Sequence, residues 1–234
     1  MIWYYLSFRD ANFQLFLAFA GAATLALVLG IAFHEFCHAL SASALGDQTA
    51  RNRGRLTLNP LAHLDPLGSI LLLLLGFGWG KPTPVNPYRM RIEPRAGMAI
   101  TAAAGPISNL FVAALMAMPI RLGWVPWHNS LLSNTSTAGW TAGDYVGIFL
   151  AAGVAINCIL AVFNLLPLAP LDGFRVWTGV LPIELARPLI RTERYGIFIL
   201  MVLFLVGPSI GIDIFGRVVE PIVTTISRGL TGVD

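Results

Sequence analysis

Residues His34-Glu35-Phe36-Cys37-His38 carry the pattern H-E-x-x-H. On an α-helix, positions i and i+4 lie about 40° apart around the axis, so both imidazoles can reach one ion. Glu35 lies about 100° from His34 and about 60° from His38. It can flank a metal without taking a ligand place and accept a proton from water. The chemistry this spacing suits is zinc-assisted hydrolysis. Polar residues at a solvated helix end are the bland alternative. A structural zinc site is another, but it favours four closed ligands, often cysteines, and the chain has two cysteines, Cys37 and Cys158.

Two histidines leave at least one ligand to be found. Asp172 is a candidate: it closes a 27-residue uncharged run and is the only acid between Asp144 and Glu184. Asp172-Gly173 also reads as a turn at a helix end. His63 and Asp65, in a loop that can fold back, are rivals. Spacing alone leaves these alternatives open.

The elements that must position these residues are membrane helices. Charged residues make up 12% of the 234 residues and hydrophobic ones 56%, against about 25% charged in a soluble domain. That composition excludes a soluble enzyme and a disordered chain. Four uncharged stretches, Ala11–His34, Ala96–Ile120, Tyr145–Leu171 and Tyr195–Ile212, reach or exceed the ~18 residues that read as a span. The chain is therefore expected to be an all-α integral membrane protein of about four to six transmembrane helices with a re-entrant segment. A carboxylate in such a span costs roughly 2.5–3.5 kcal/mol and marks function by default, which strengthens the reading of Glu35.

The first span starts near Phe13 and has no proline before Gly46-Asp47, so one helix from Phe13 to Leu45 is expected. Leu67–Gly80 is short for a crossing and runs into Pro82, Pro84 and Pro87. It is expected to dip into the membrane and return, or to form a tight helical hairpin; irregular backbone at that depth needs protein or a wet cavity around it. Pro167 and Pro170 must break the helix that ends near Leu166. The whole chain, 1–234, reads as a single membrane-embedded domain with a core over 13–212 and an amphipathic surface tail over 213–234. Trp3, Tyr4 and Tyr5 are expected as interfacial anchors.

Eleven Lys and Arg fall on one side of these spans, from Arg51 to Lys81 to Arg194, and four on the other. By the positive-inside rule the eleven face the cytoplasm. The cell membrane of a prokaryote is the expected location, with His34 and Asp172 towards the cytoplasmic side. The net charge of +3 is thus assigned to orientation, and no nucleic-acid partner is expected.

His34-Glu35-x-x-His38 together with Asn164-Leu-Leu-Pro167-Leu-Ala-Pro170-Leu-Asp172-Gly173 resembles the site-2 protease family of intramembrane zinc metalloproteases. The resemblance extends to Arg55-Leu-Thr57-Leu-Asn59-Pro60-Leu-Ala-His63-Leu-Asp65-Pro66-Leu-Gly68, to Gly80-Lys81-Pro82-x-Pro84-Val85-Asn86-Pro87 and to Ala104-Gly105-Pro106-x-x-Asn109. These matches span about Ala32 to Gly173 and look like the short prokaryotic form without PDZ or CBS domains. Ala169 stands where many of these sequences have proline. The resemblance implies zinc on His34, His38 and Asp172, a catalytic Glu35, and a role for Asn164 in handling substrate. It implies membrane protein or peptide substrates within the lipid bilayer.

A helical peptide bond is hidden by its own hydrogen bonds, so the target must unwind. Lys81–Asn86 is expected to pair with the unwound strand as an extended edge, which makes Val85 and Asn86 candidate substrate-binding residues. Asn109 and Asn157 are expected to serve packing. Two other classes use the same residues: a membrane metal-binding or transport protein, and a catalytically idle scaffold. The absence of a visible repeated half and the place of Glu35 beside the ligands favour the enzyme. Oligomeric state is not encoded in any of these patterns.

Overall fold

The computed structural model describes residues 13–65, 68, 80–128 and 139–233. Helix α1 spans Phe13–Ala44, α2 Pro94–Arg121, and α3 Ala142–Asn164. Shorter helices follow: α4 at Asp172–Val180, α5 at Ile183–Thr192, α6 at Gly196–Met201 and α7 at Glu220–Thr231. No strand occurs among the described residues. Gly80 and Leu64 form a single antiparallel bridge.

Three helices are long and apolar enough to cross a membrane, covering Leu15–Ala44, Pro94–Arg121 and Ala142–Asn164. A fourth arises if the bent pair Ile183–Ile210 and Phe215–Thr231, broken by 90°, is taken as one span. The described residues thus meet the lower end of the expected four to six. The segment 67–80 lies outside the described residues apart from Gly68 and Gly80, as do Trp3, Tyr4 and Tyr5.

The first span carries the H-E-x-x-H residues because nothing stops it earlier. It ends at Gly46, whose φ of +111° is a left-handed conformation that glycine adopts without steric cost. The Asp47 amide reaches back to the Ala42 carbonyl at 2.9 Å and closes the last turn. Helix α2 starts where Glu93 caps the Ala96 amide at 2.8 Å, with Pro94 at its first position.

The faces of α2 show why the three spans pack. Gly97, Thr101, Gly105, Ser108 and Asn109 are buried, while Ile100, Ile107, Phe111, Leu115 and Met118 are exposed. Large apolar groups face outward and small or polar ones face inward. That is the pattern of helices in lipid, where close backbone approach and interhelical hydrogen bonds replace the hydrophobic drive.

Helix α4 begins directly after the proline-broken turn 167–171, so Asp172 opens it. Its far end is tied to the start of α2. The Arg95 guanidinium donates to the Thr178 carbonyl at 2.6 Å and also to that of Leu181. The clamp docks α4 along α2 and places Asp172 beside the C-terminal part of α1.

Within residues 213–233, α7 is amphipathic and lays its apolar side on the long helices. Val219 and Val223 are buried in one cluster with Ala113 and Ala117 of α2 and Val154, Cys158 and Val162 of α3, and Ile226 and Leu230 pack on it. The spacing 219, 223, 226, 230 makes one apolar helix stripe, and that stripe is covered by the spans. Arg121 holds the far end by donating to the Gly229 carbonyl at 2.6 Å.

Candidate metal centre

His34 and His38 project from one face of α1 with ring centroids 4.6 Å apart and planes at 87°. Both are buried. Asp172 Oδ2 lies 2.9 Å from His34 Nε2 and 3.2 Å from His38 Nε2. Donor atoms of His34, Glu35 and His38 also lie within 4.8 Å of one another. The structure therefore brings together His34, Glu35, His38 and Asp172 across 138 residues of sequence. Among the described residues it does not bring His63 or Asp65 to this point. His63 Nε2 pairs with the Thr57 carbonyl at 2.8 Å, and Asp65 accepts from the Gly68 amide at 2.9 Å.

The second nitrogen of each ring is engaged on its far side. His34 Nδ1 pairs with Asn109 Oδ1 at 2.6 Å, and His38 Nδ1 with the Thr101 carbonyl at 2.7 Å. Both partners lie on α2. A ring that donates through Nδ1 presents the Nε2 lone pair, as a metal-binding histidine requires.

The donor set fits a divalent ion of the zinc type. Two imidazole nitrogens and one carboxylate oxygen are zinc ligands, and three protein ligands leave a position open. Separations of 2.9 and 3.2 Å approach the ~3.3 Å between donors on a tetrahedral ion with ~2.0 Å bonds. The space is held by Gly105. A Cβ there would stand 2.5 Å from both His34 Nε2 and His38 Nε2, so only glycine lets α2 pass this close.

Glu35 faces a different neighbour. Its Oε2 accepts from the Thr83 amide at 3.0 Å, and its carbonyl accepts from the Thr83 hydroxyl at 3.3 Å. The segment 81–86 thus lies over the start of the H-E-x-x-H motif. It is pinned at both ends: the Lys81 amide donates to the His63 carbonyl at 2.7 Å, and the Asn86 amide donates to Asp47 Oδ2 at 2.6 Å. Arg55 donates to the carbonyls of Ala62 and Lys81 and joins the two loops.

Asp47 is the buried anchor of this segment. Burial alone would raise its carboxyl pKa. Hydrogen bonds from the Thr49 hydroxyl and from the Asn86 and Thr49 amides, with the charge of Arg89, hold it below the usual range instead.

The expected substrate-binding residues lie as follows. Val85 is half-buried, and its amide has no partner among the described residues. The Asn86 side chain caps the next turn by accepting from the Tyr88 amide at 3.1 Å. Asn164 donates to the Leu160 carbonyl of its own helix at 2.9 Å. Sequence reasoning missed Thr83 and Asp47, and it took Asn109 for a packing residue.

Helices with apolar outer faces that bury such a motif and a converging carboxylate define a multi-pass membrane metalloprotease. The chain belongs to Peptidase family M50, whose model matches residues 22–207. It is similar to "Putative zinc metalloprotease YwhC" of Bacillus subtilis (strain 168), 38% identical over 178 residues that cover 76% of this chain and 77% of that protein. It is also similar to "Putative zinc metalloprotease Rip2" of Mycobacterium tuberculosis H37Rv, 30% identical over 86% of this chain and 74% of that protein. "Putative zinc metalloprotease MJ0611" of Methanocaldococcus jannaschii is 32% identical over 72% of this chain and 76% of that protein. No solved structure matches the chain.

Proposed function

We propose that this metalloprotease is an intramembrane zinc endopeptidase that cuts transmembrane segments of other membrane proteins. The observation that carries the reading is the convergence of His34, His38 and Asp172 against an apolar span, at the centre of helices whose outer faces suit lipid. His34, His38 and Asp172 would hold the ion. When bound, zinc supplies Lewis acidity, which polarises a carbonyl and lowers the pKa of water towards ~7.

The chain's own residues do the rest. Glu35 takes a proton from the attacking water and passes it to the leaving amine. The Thr83 amide holds the Glu35 carboxylate in place. Pro82 and Pro84 lack amides and favour extended backbone around Thr83. In an extended chain, amides two residues apart point the same way. The unpartnered Val85 amide then shares the side of Thr83, where an unwound substrate strand can accept from it.

The cell membrane is the proposed location, with the centre towards the cytoplasm. Arg51, Arg53, Lys81, Arg89 and Arg91 are exposed at the end of α1 that carries His38, which supports that orientation.

The test uses purified protein in detergent, with wild type and Glu35→Gln compared for bound zinc and for cleavage of a membrane-anchored helical peptide. Zinc in both and cutting by the wild type alone is the expected result. Cutting by both would remove Glu35 from the mechanism, and lack of tightly held zinc in the wild type would remove the centre.

A further inference from the structure

Two buried asparagines link the three spans at the depth of His34. Asn109 of α2 pairs through Oδ1 with His34 Nδ1 at 2.6 Å. Its amide nitrogen donates to Asn157 Oδ1 of α3 at 2.8 Å and to the Gly30 carbonyl of α1 at 3.2 Å. The Asn157 amide nitrogen in turn donates to the Gly153 carbonyl at 2.9 Å. Both asparagines are fully buried, and each polar atom of this chain has a partner.

The direction of these bonds is fixed at both ends. Gly153 and Gly30 offer carbonyls, which only accept. Asn157 must turn its nitrogen to Gly153, so its oxygen faces Asn109. Asn109 then faces two acceptors, Asn157 Oδ1 and the Gly30 carbonyl, and must turn its nitrogen to them. Its oxygen is left for His34, whose Nδ1 must carry the hydrogen. Nε2 of His34 is then the nitrogen left to face Asp172, and the one that would offer its lone pair to an ion.

We infer that Asn109, oriented by Asn157, is a positioning residue that sets the tautomer and aim of His34 for the metal. The inference rests on the ligand role proposed above for His34. His38 reaches the same state differently, because its Nδ1 partner is the Thr101 carbonyl of the backbone. One ligand is thus oriented by main chain, which no substitution removes, and the other by a side-chain relay.

The experiment measures zinc affinity of the full chain in detergent by competition with a chelator, alongside thermal stability of the metal-free form. Asn109→Leu removes the acceptor at similar size and is expected to weaken zinc binding about 10–100-fold, the usual cost of losing such a partner. Asn109→Asp restores an oxygen facing His34 and is expected to recover most of that loss, although it cannot donate to Asn157 or Gly30. A merely structural role predicts no such recovery. Asn157→Leu leaves Asn109 oriented by the longer bond to the Gly30 carbonyl alone, and is expected to lower affinity by a smaller factor.

Wild-type affinity in folded Asn109→Leu would overturn the inference, as would Asn109→Asp binding no better than Asn109→Leu. If Asn109→Leu does not fold, Asn157→Leu decides: reduced affinity supports the relay and unchanged affinity overturns it. His34→Ala with wild-type affinity would instead sink the ligand reading itself, so the two failures are distinct.

Discussion

The Thr83 amide donates to the Glu35 carboxylate at 3.0 Å. A loop residue 48 positions away in sequence thereby holds the side chain proposed as general base. A hydrogen bond to a charged group contributes about 1.5–3 kcal/mol. Thr83→Pro removes the donor within a segment that already tolerates proline on both sides. The expected result is a fall in kcat of about ten-fold or more with zinc content unchanged, read by single-turnover cleavage and metal analysis. Equal kcat in variant and wild type would deny this contact a part in catalysis.

Gly105→Ala tests the cradle above the two imidazoles. The added methyl would stand 2.5 Å from both Nε2 atoms, and relief requires shifts that typically cost about 1–3 kcal/mol. The variant is expected to lose tight zinc and to melt at lower temperature, whereas Ala104→Gly, one residue away, should leave zinc content near wild type.

Asp47 gives the 80–86 segment a pH dependence whose sign follows from its depressed pKa. A carboxyl held lower in the folded than in the unfolded state stabilises fully above its ordinary value of 3.8. That contribution is lost as pH falls through the folded value. Asp47→Asn is therefore expected to destabilise the loop by about 2 kcal/mol near neutral pH. The gap to wild type narrows below about pH 4. Hydrogen exchange of residues 80–86 against pH measures it, and a gap that widens in acid would contradict the assignment.

The closing helix contributes to the core, so charging its inner face should be costly. Val223→Asp places a carboxylate among Ala113, Ala117 and Val162, at roughly 3 kcal/mol on insertion scales. Its melting temperature should drop well below that of Ile222→Ala, a change at an exposed neighbour. Similar melting of the two variants would place α7 away from the spans.

The sequence discloses some of this architecture because some of it is periodic. The i, i+4 spacing of His34 and His38 puts both on one face of any helix, and the uncharged stretches announce the three long spans. Asp172 is different: its partnership with the histidines depends on a turn broken by Pro167 and Pro170 and on the Arg95 clamp, neither of which leaves a spacing rule. Asn109 was expected to serve packing because a span asparagine looks the same whether it meets another helix or a ligand. The C-terminal segment mixes charges with valines, which reads as an amphipathic surface helix; that its apolar stripe meets Val154 and Cys158 is written in no spacing rule. Thr83 and Asp47 carry no signal, since Thr83 acts through its own backbone amide and the Asp47 carboxylate accepts from the amide of Asn86.

The closeness of Gly105 to the two imidazoles has a practical meaning for inhibitor design. On that flank the wall is main chain, packed to within a methyl of the nitrogens, so no chelating warhead can arrive from there. A metal-directed compound that approaches past Thr83 would instead have to displace or mimic the amide from which Glu35 already accepts.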